Sequence, residues 1–160
     1  MAQPHIEIER KFLVDAPPGD LDRHPADPLQ QGYLAVAPDG VEVRIRRRGE
    51  RTSLTVKSGP AHVRVEEEIP IEAERFDALW PLTEDRRVEK TRYLVPLRED
   101  LTVELDIYAG DLDGLVTAEI EFPSVEASAA FAPPSWLGTE ITGDARYANQ
   151  SLALHGAPQT

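Results

Sequence analysis

The sequence predicts an α+β domain whose main element is a largely antiparallel sheet of about eight strands. The first observation is an alternation of apolar and polar residues, with many β-branched residues, in a series of segments. They lie near residues 4–14, 30–37, 41–48, 51–58, 62–71, 88–97, 102–109 and 116–123. The second observation is the turn signals between them, such as Asp39-Gly40 and Arg48-Gly49, because short links favour antiparallel neighbours. With 160 residues, the chain is expected to form one domain over residues 1–160.

Three segments depart from the strand pattern and predict helices, over residues 72–80, 124–131 and 145–155. Apolar residues of the first segment recur at helical spacing. The second segment is rich in alanine and begins with Ser124, a residue type that caps helices. Such amphipathic helices are suited to packing outside a sheet. Residues 15–28 contain four prolines and alternating charge, which predicts a loop.

Composition argues against several classes of protein. The sequence contains no cysteine, which excludes disulfides and thiolate chemistry and fits a reducing compartment. A net charge of −12 argues against binding nucleic acid through surface electrostatics. The N-terminal segment is polar and acidic, and no stretch approaches the roughly 18 apolar residues that span a membrane. We therefore expect a cytoplasmic protein whose partners include neither a nucleic acid nor a membrane.

Most of the predicted strands carry charge on one face and apolar residues on the other. Because residues two apart in a strand share a face, Arg44 and Arg46 point to the same side. Other strands have a carboxylate face, formed by Glu7 and Glu9, Glu66 and Glu68, Glu104 and Asp106, and Glu119 and Glu121. Arg10, Arg47 and Glu67 have the opposite parity and are expected to point outward.

Two explanations fit these charged faces. They could be the solvated side of an ordinary antiparallel sheet, which explains most such alternation. However, the faces are dense in Glu and Arg, whose clustering costs repulsion unless partners or ligands offset it. If the sheet closes and helices cover its apolar side, the charged faces line a polar lumen.

Such a lumen suits a metal-bridged polyphosphate. Arginine and lysine side chains donate to phosphate oxygens, whereas carboxylates approach a polyanion through a cation held between them. Carboxylates, rather than histidine or cysteine, favour hard ions such as Mg²⁺ or Mn²⁺. The residue chemistry therefore predicts a small-molecule polyphosphate substrate and a divalent cofactor.

A series of short motifs is similar to a known family. Glu7-Ile8-Glu9-Arg10-Lys11 resembles the ExExK signature that opens proteins of the CYTH, or triphosphate tunnel metalloenzyme, superfamily. Similar motifs then follow in order through nearly the whole chain. They are Gln31-Gly32-Tyr33-Leu34, Val43-Arg44-Ile45-Arg46, Leu54-Thr55-Val56-Lys57, Arg64-Val65-Glu66-Glu67-Glu68, Lys90-Thr91-Arg92-Tyr93, Glu104-Leu105-Asp106, Ala118-Glu119-Ile120-Glu121-Phe122 and Asp144-Ala145-Arg146-Tyr147-Ala148-Asn149.

The resemblance implies a closed antiparallel β-barrel, a tunnel of eight strands with a triphosphate along its axis and one or two Mg²⁺ or Mn²⁺ ions. The residues implied to bind metal are Glu7, Glu9, Glu66, Glu68, Glu104, Asp106, Glu119 and Glu121. The residues implied to bind the substrate are Lys11, Arg44, Arg46, Lys57, Arg64, Lys90, Arg92 and Arg146. Lys11 and Tyr33 are implied to act together near the attacked phosphorus as catalytic residues.

The short bacterial members that the chain resembles are inorganic triphosphatases. The resemblance thus implies a hydrolase that converts tripolyphosphate into pyrophosphate and phosphate. The expected mechanism is in-line attack of water on a terminal phosphorus, with one metal ion polarising phosphate oxygens and a second lowering the pKa of the water. No histidine is needed, so His5, His24, His62 and His155 are expected to be surface or packing residues.

Several alternatives stay open at this point. The same scaffold could hydrolyse thiamine triphosphate or a nucleotide, or cyclise ATP like the class IV adenylyl cyclases. An organic substrate needs an apolar patch at the tunnel mouth, and an aromatic content of only 6% mildly favours bare tripolyphosphate. An RNA-end triphosphatase receives no support from the acidic net charge. Outside enzymes, a polyphosphate-binding module remains, and the sequence also allows a homodimer.

Overall fold

A computed structural model of the protein describes residues 8–58, 65–98 and 100–159. Eight strands form one sheet: β1 (Glu9–Leu13), β2 (Ala26–Val36), β3 (Glu42–Arg48), β4 (Arg51–Ser58), β5 (Val65–Pro70), β6 (Arg87–Arg98), β7 (Leu101–Ala109) and β8 (Val116–Glu121). Three α-helices accompany them: α1 (Ala73–Leu79), α2 (Val125–Ala130) and α3 (Asn149–His155). Short 3-10 turns occupy Leu21–Arg23, Trp80–Thr83, Gly110–Leu112 and Ala145–Tyr147. The predicted α+β class is confirmed.

All neighbouring strands are antiparallel, in the spatial order β1-β8-β7-β6-β2-β3-β4-β5. The expectation of a closed barrel is wrong for the described residues, because β1 and β5 are edges that do not pair with each other. Glu9 and Lys11 of β1 and Glu66 of β5 line a cavity at the two edges.

Two element boundaries differ from expectation. β2 begins at Ala26 and contains Pro28, within the segment predicted to be a loop. Pro28 lies opposite Thr91 of β6, and its carbonyl accepts the Gly49 N–H at 3.1 Å, so the strand loses only the donor that proline lacks. The third predicted helix is interrupted at Ala148, whose extended backbone separates the 3-10 turn from α3.

Two apolar clusters hold the fold together. The first, centred on Phe12, Leu105 and Ile120, covers the outer face of β1, β7 and β8. Helix α2 closes over this face, and Ser124 caps it by accepting the Ala127 N–H at 3.0 Å, as its residue type predicts. Full burial of such a side chain is worth about 1.5–3 kcal/mol, so this cluster contributes strongly to stability.

The outward expectation for Arg10 and Arg47 is confirmed. Arg10 donates to the carbonyl oxygens of Ser128 and Phe131 at 2.9 and 3.0 Å, at the end of α2. Arg47 pairs with Asp77 of α1 at 2.8 Å. These two arginines therefore bind the helices on the outer face of the sheet, and other charged residues occupy the inner face. Within the described residues, no helix is long and apolar enough to cross a membrane.

Gly32 sets the position of β2 on its outer side, where it faces the turn that follows α1. A Cβ added at Gly32 would lie 2.5 Å from the side chain of Thr83, which is fully buried. Gly32→Ala is therefore expected to lower the free energy of unfolding by about 1–3 kcal/mol through overpacking, measured by urea denaturation. Gly19→Ala is the control, because its Cβ would meet nothing within 4 Å, and its effect should stay within about 0.5 kcal/mol. Equal effects of the two changes would contradict this account of Gly32.

Candidate active site

The inner face of the sheet encloses a charged cavity of about 1010 Å³. Residues of seven of the eight described strands supply its walls, and where one strand gives more than one of them they alternate, as the period of two predicts. Its charged lining residues are Glu9, Lys11, Arg44, Arg46, Lys57, Glu66, Lys90, Arg92, Asp100, Glu104, Asp106, Glu119 and Glu121. The charged faces therefore line a shared cavity, although the sheet around it is not closed as the lumen interpretation supposed.

The two signs of charge are unevenly distributed around the cavity. Among the described residues that line it, six are basic and seven are carboxylates. Strands β3, β4 and β6 supply most of the basic groups, whereas β7 and β8 supply most of the carboxylates. Because the two signs are nearly balanced among the described lining residues, cations held by the carboxylates would strengthen the binding of a polyanion.

Carboxylates face each other directly across the acidic wall. Glu9 lies opposite Glu121 on the β1–β8 pair, and Glu104 lies opposite Glu119 on the β7–β8 pair. Burial raises the pKa of Glu104; the Arg92 charge opposes this, while the charges of Glu119 and Asp106 add to it. Facing carboxylates repel unless a cation offsets them, and oxygen ligands of this kind suit hard divalent ions.

A buried ion network holds part of the basic wall. Asp106, which is 4% exposed, accepts two hydrogen bonds from Arg92, at 2.8 and 2.9 Å, and pairs with Lys90 at 2.8 Å. Arg92 also reaches Glu104 at 2.9 Å. Burial alone would raise the pKa of Asp106, but the Arg92 hydrogen bonds and the Lys90 charge outweigh it and hold the pKa below its usual range.

A looser ion network joins β3, β4 and β5 on the opposite wall. Glu66 lies 3.7 Å from Arg44 and 3.5 Å from Lys57. The Arg44 Nε is buried and has no hydrogen-bond partner among the described residues. These long separations leave both basic groups able to donate to a ligand in the cavity.

Arg46 is held differently from its neighbours. It makes no ion pair with any carboxylate of the residues that the structure describes; instead its Nε donates to Gln31 Oε1 at 3.1 Å. The Gln31 Nε2 in turn donates to the Tyr33 hydroxyl at 2.9 Å. Burial, together with the charges of Arg44 and Arg92, lowers the pKa of Arg46, and the charge of Glu68 offsets this only in part.

The C-terminal segment lines one end of the cavity, where Ala148 and Asn149 meet the two lysines. Lys11 Nζ donates to the Tyr147 carbonyl at 2.9 Å, and Lys90 Nζ donates to Asn149 Oδ1 at 3.2 Å. Beyond them, an apolar cluster closes this end with Tyr33, Val88, Tyr108 and Leu152 among its members. The segment thus both closes the cavity and orients two ammonium groups.

A comparison of the whole chain with protein families matches the CYTH domain over residues 5–147. The chain belongs to the CYTH family. Among curated CYTH relatives, an inorganic triphosphatase from Nitrosomonas europaea is 49% identical over 149 residues, covering 92% of this chain and 97% of that protein. An inorganic triphosphatase from Acetivibrio thermocellus is 39% identical over 151 residues, covering 91% and 92%.

A solved CYTH relative has the same fold. The crystal structure of the inorganic triphosphatase NE1496 superposes with a TM-score of 0.82 at 45% identity, covering 98% of this chain and all of the other. The family resemblance stated from the motifs is therefore confirmed by sequence and by structure.

Most of the residues that the CYTH motifs single out meet in the cavity. Three described ones do not line it: Tyr33 is 1% exposed in the apolar end cluster, Glu68 is exposed on β5, and Arg146 is exposed and pairs with Asp144 at 2.6 Å. Glu7 and Arg64 lie outside the described residues. The individual roles assigned to all these residues stay predictions.

The cavity also contains residues that sequence analysis did not select. They are Leu94, Asp100, Thr102, Phe122, Pro123, Ala148 and Asn149. Leu94 and Thr102 share the parity of Arg92 and Glu104, so the period of two could have identified them. Asn149 could not be found this way, because only the fold brings α3 against β6.

The donor set of this CYTH cavity fits a hard divalent metal. Its carboxylates are oxygen ligands, and two pairs of them face each other across strands. No group of three or more potential ligands is already assembled within the described ranges, from which Glu7 is missing. CYTH triphosphatases are metal-dependent enzymes, and this donor set is consistent with that dependence.

Asn149→Ala tests the contact between the C-terminal segment and Lys90. Loss of the Oδ1 acceptor should leave the Lys90 ammonium less constrained and raise the KM for tripolyphosphate by about 3- to 10-fold, the net contribution of one ordinary hydrogen bond. Steady-state phosphate release measures this change. Gln150→Ala, one residue away and outside the cavity lining, is the matched control and should change KM by less than about twofold. An unchanged KM in the Asn149 variant would argue against this role.

Proposed function

We propose that this chain hydrolyses inorganic tripolyphosphate to pyrophosphate and phosphate with the help of Mg²⁺ or Mn²⁺. The observation that carries the proposal is the cavity itself, whose basic wall suits phosphate oxygens and whose facing carboxylates suit cations. Two similar relatives bear the name inorganic triphosphatase, which supports the same substrate.

Four carboxylates are the proposed metal-holding groups of the described chain: Glu9, Glu104, Glu119 and Glu121. Glu7, Glu66, Glu68 and Asp106 stay candidates from the motifs. A divalent ion bound there supplies charge neutralisation for the phosphates and lowers the pKa of a bound water. Because Asp106 is already engaged by Lys90 and Arg92, we assign it first to positioning those two cations.

The basic wall would bind and orient the phosphate chain. Arg44, Arg46 and Lys57 line one side of the cavity, and Lys90 and Arg92 line another. In the proposed reaction, a water oxygen forms a bond to a terminal phosphorus while the bond to the bridging oxygen breaks. The basic side chains stabilise the charge that moves onto the departing pyrophosphate.

Lys11 and Tyr33 remain the proposed catalytic pair, with unequal support. The Lys11 ammonium lies in the cavity and uses one N–H for the Tyr147 carbonyl, which leaves two for phosphate oxygens. Tyr33 lies behind the wall, and burial raises its pKa, so it is a neutral phenol at physiological pH. Any contribution from Tyr33 is therefore as a hydrogen-bonding group and not as a base.

Organic triphosphates are the second candidate substrates, because Leu94, Phe122 and Pro123 give the cavity a small apolar patch. The deciding assay is phosphate release from tripolyphosphate, ATP, thiamine triphosphate and pyrophosphate, each with Mg²⁺, Mn²⁺ or EDTA. Release from tripolyphosphate that EDTA abolishes is the expected result. If the protein prefers ATP or thiamine triphosphate, that compound replaces tripolyphosphate as the proposed substrate. If it binds these compounds but releases phosphate from none of them, the protein is a receptor and not an enzyme.

A further inference from the structure

Gln31 forms a bridge between a cavity arginine and a buried tyrosine. Its Oε1 accepts from Arg46 Nε at 3.1 Å, and its Nε2 donates to the Tyr33 hydroxyl at 2.9 Å. Gln31 is itself 4% exposed and Tyr33 is 1% exposed. Of these three hydrogen-bonded residues, only Arg46 lines the cavity.

The chemistry of the three groups determines the orientation of the amide. A guanidinium has only donors, so the Gln31 oxygen must face Arg46 and its NH₂ must face Tyr33. The tyrosine oxygen, which can accept, completes the chain. A single orientation satisfies both neighbours, and the amide therefore has no equally good flipped state.

The backbone around Gln31 is equally constrained. Gly32 packs so closely on Thr83 that a Cβ would lie 2.5 Å from it. Gln31 also pairs with Arg46 across β2 and β3, and Tyr33 pairs with Arg44. The amide is thus presented to Arg46 from a rigid strand, which is what a positioning group requires.

Charge distinguishes Arg46 from Arg92. Arg92 contacts two carboxylates, Asp106 and Glu104, whereas the partner of Arg46 is a neutral amide. With its Nε occupied by Gln31 and no other acceptor among the described residues, Arg46 has its two terminal nitrogens left to donate to a phosphate as a fork. An amide thereby orients the guanidinium and leaves its full charge for the ligand.

From these observations we propose that Gln31 is a positioning residue that directs the Arg46 guanidinium toward the phosphate chain without neutralising it. The inference rests on the proposed function, since it concerns how that substrate is bound. In this role the side chain at position 31 must be both polar and uncharged. A residue that served packing alone would tolerate a carboxylate of the same shape.

Gln31→Glu tests this point, because the carboxylate keeps the shape and can accept from both Arg46 and the Tyr33 hydroxyl. The variant is expected to keep the wild-type Tm or exceed it. Its KM for tripolyphosphate with Mg²⁺ should rise by about 10- to 100-fold, because the new ion pair withdraws the Arg46 charge from the substrate. Gln30→Glu, on the outer face of the same strand, adds the same charge outside the cavity lining and should alter KM by less than about twofold.

A double-mutant cycle supplies the second test. Gln31→Met should raise KM in the wild-type background and have little further effect when Arg46→Met is already present, because the amide acts through that guanidinium. A wild-type KM in Gln31→Glu, or additive effects in the cycle, would overturn the positioning role while leaving the hydrolase intact. A wild-type protein without metal-dependent hydrolysis would overturn the proposed function, and this inference with it.

Discussion

Glu119→Gln is expected to lower Mg²⁺-dependent phosphate release from tripolyphosphate by at least about 100-fold. Glu119 lies in the acidic wall, directly opposite Glu104 on one side and Lys11 on the other. The amide keeps the size of the side chain but removes one of the negative charges that the proposed metal site depends on. Steady-state kinetics across a Mg²⁺ titration measure the loss.

The same variant gives a readout that does not depend on turnover. In EDTA its Tm should equal or exceed that of the wild type, because the substitution relieves a facing pair of carboxylates. The rise in Tm that Mg²⁺ produces should shrink, since a ligand that binds only the folded state stabilises it according to its affinity.

Glu67→Gln is the matched control for charge removal. Glu67 is exposed on β5 and does not line the cavity. Its substitution should change both activity and the Mg²⁺-induced rise in Tm by less than about twofold. Glu119→Gln with wild-type activity and a wild-type Mg²⁺ response would rule out a metal role for this carboxylate.

The second large effect is expected for Asp106→Asn, which should lower the free energy of unfolding by about 3–5 kcal/mol. The carboxylate is 4% exposed and is bound by Arg92 and Lys90 at 2.8–2.9 Å. An asparagine of the same shape leaves two cations inside the cavity wall without their shared counter-charge. Urea denaturation at neutral pH measures the difference.

The pH dependence of this difference follows from the lowered pKa of Asp106. A carboxylate whose pKa falls on folding stabilises the protein above its unfolded pKa, ordinarily 3.8, and loses that contribution as pH falls through the folded value. The gap between wild type and Asp106→Asn should therefore be largest near neutrality and narrow below the ordinary carboxyl range. A gap that widens on acidification would contradict the ion network described here.

Asp77→Asn is the control for removing an ion-paired aspartate. Asp77 pairs with Arg47 at 2.8 Å on the outer surface, and its side chain is 65% exposed. Exposed pairs contribute about 0–1 kcal/mol, so the control should lose far less stability than Asp106→Asn. If both variants lost the same free energy of unfolding, burial would not be the reason that the Asp106 network stabilises the fold.

The period of two in the strands determined much of the candidate site. Arg44 and Arg46 share one face of β3 because alternate residues of a strand do, and the same rule gives the faces of Glu104 on β7 and Glu119 on β8 that line the cavity. The same rule placed Arg10 and Arg47 outside. Local signals also worked for the Ser124 cap, since capping depends on a side chain and the next turn of backbone.

Contacts between segments that are distant in sequence could not be predicted from the alternation of residues or from local signals. The sequence could not predict that Asp106 is held by Lys90 and Arg92, because parity gives the face of a residue and not its partners. Nor could it predict the contact of Asn149 with Lys90, which joins positions 59 residues apart. Gln31 has an unremarkable polar side chain, and its role depends on Arg46 and Tyr33 surrounding it.

By itself, then, the sequence determined the sheet, the charge on its inner face and the family, because these depend on local periodicity and on motif order. Only the tertiary structure decided that the edges β1 and β5 stay unpaired in the described residues and that the C-terminal segment closes one end of the cavity. It also decided which cations are neutralised and which remain available to a phosphate. These properties depend on distances across the fold, which alternation along a strand does not encode.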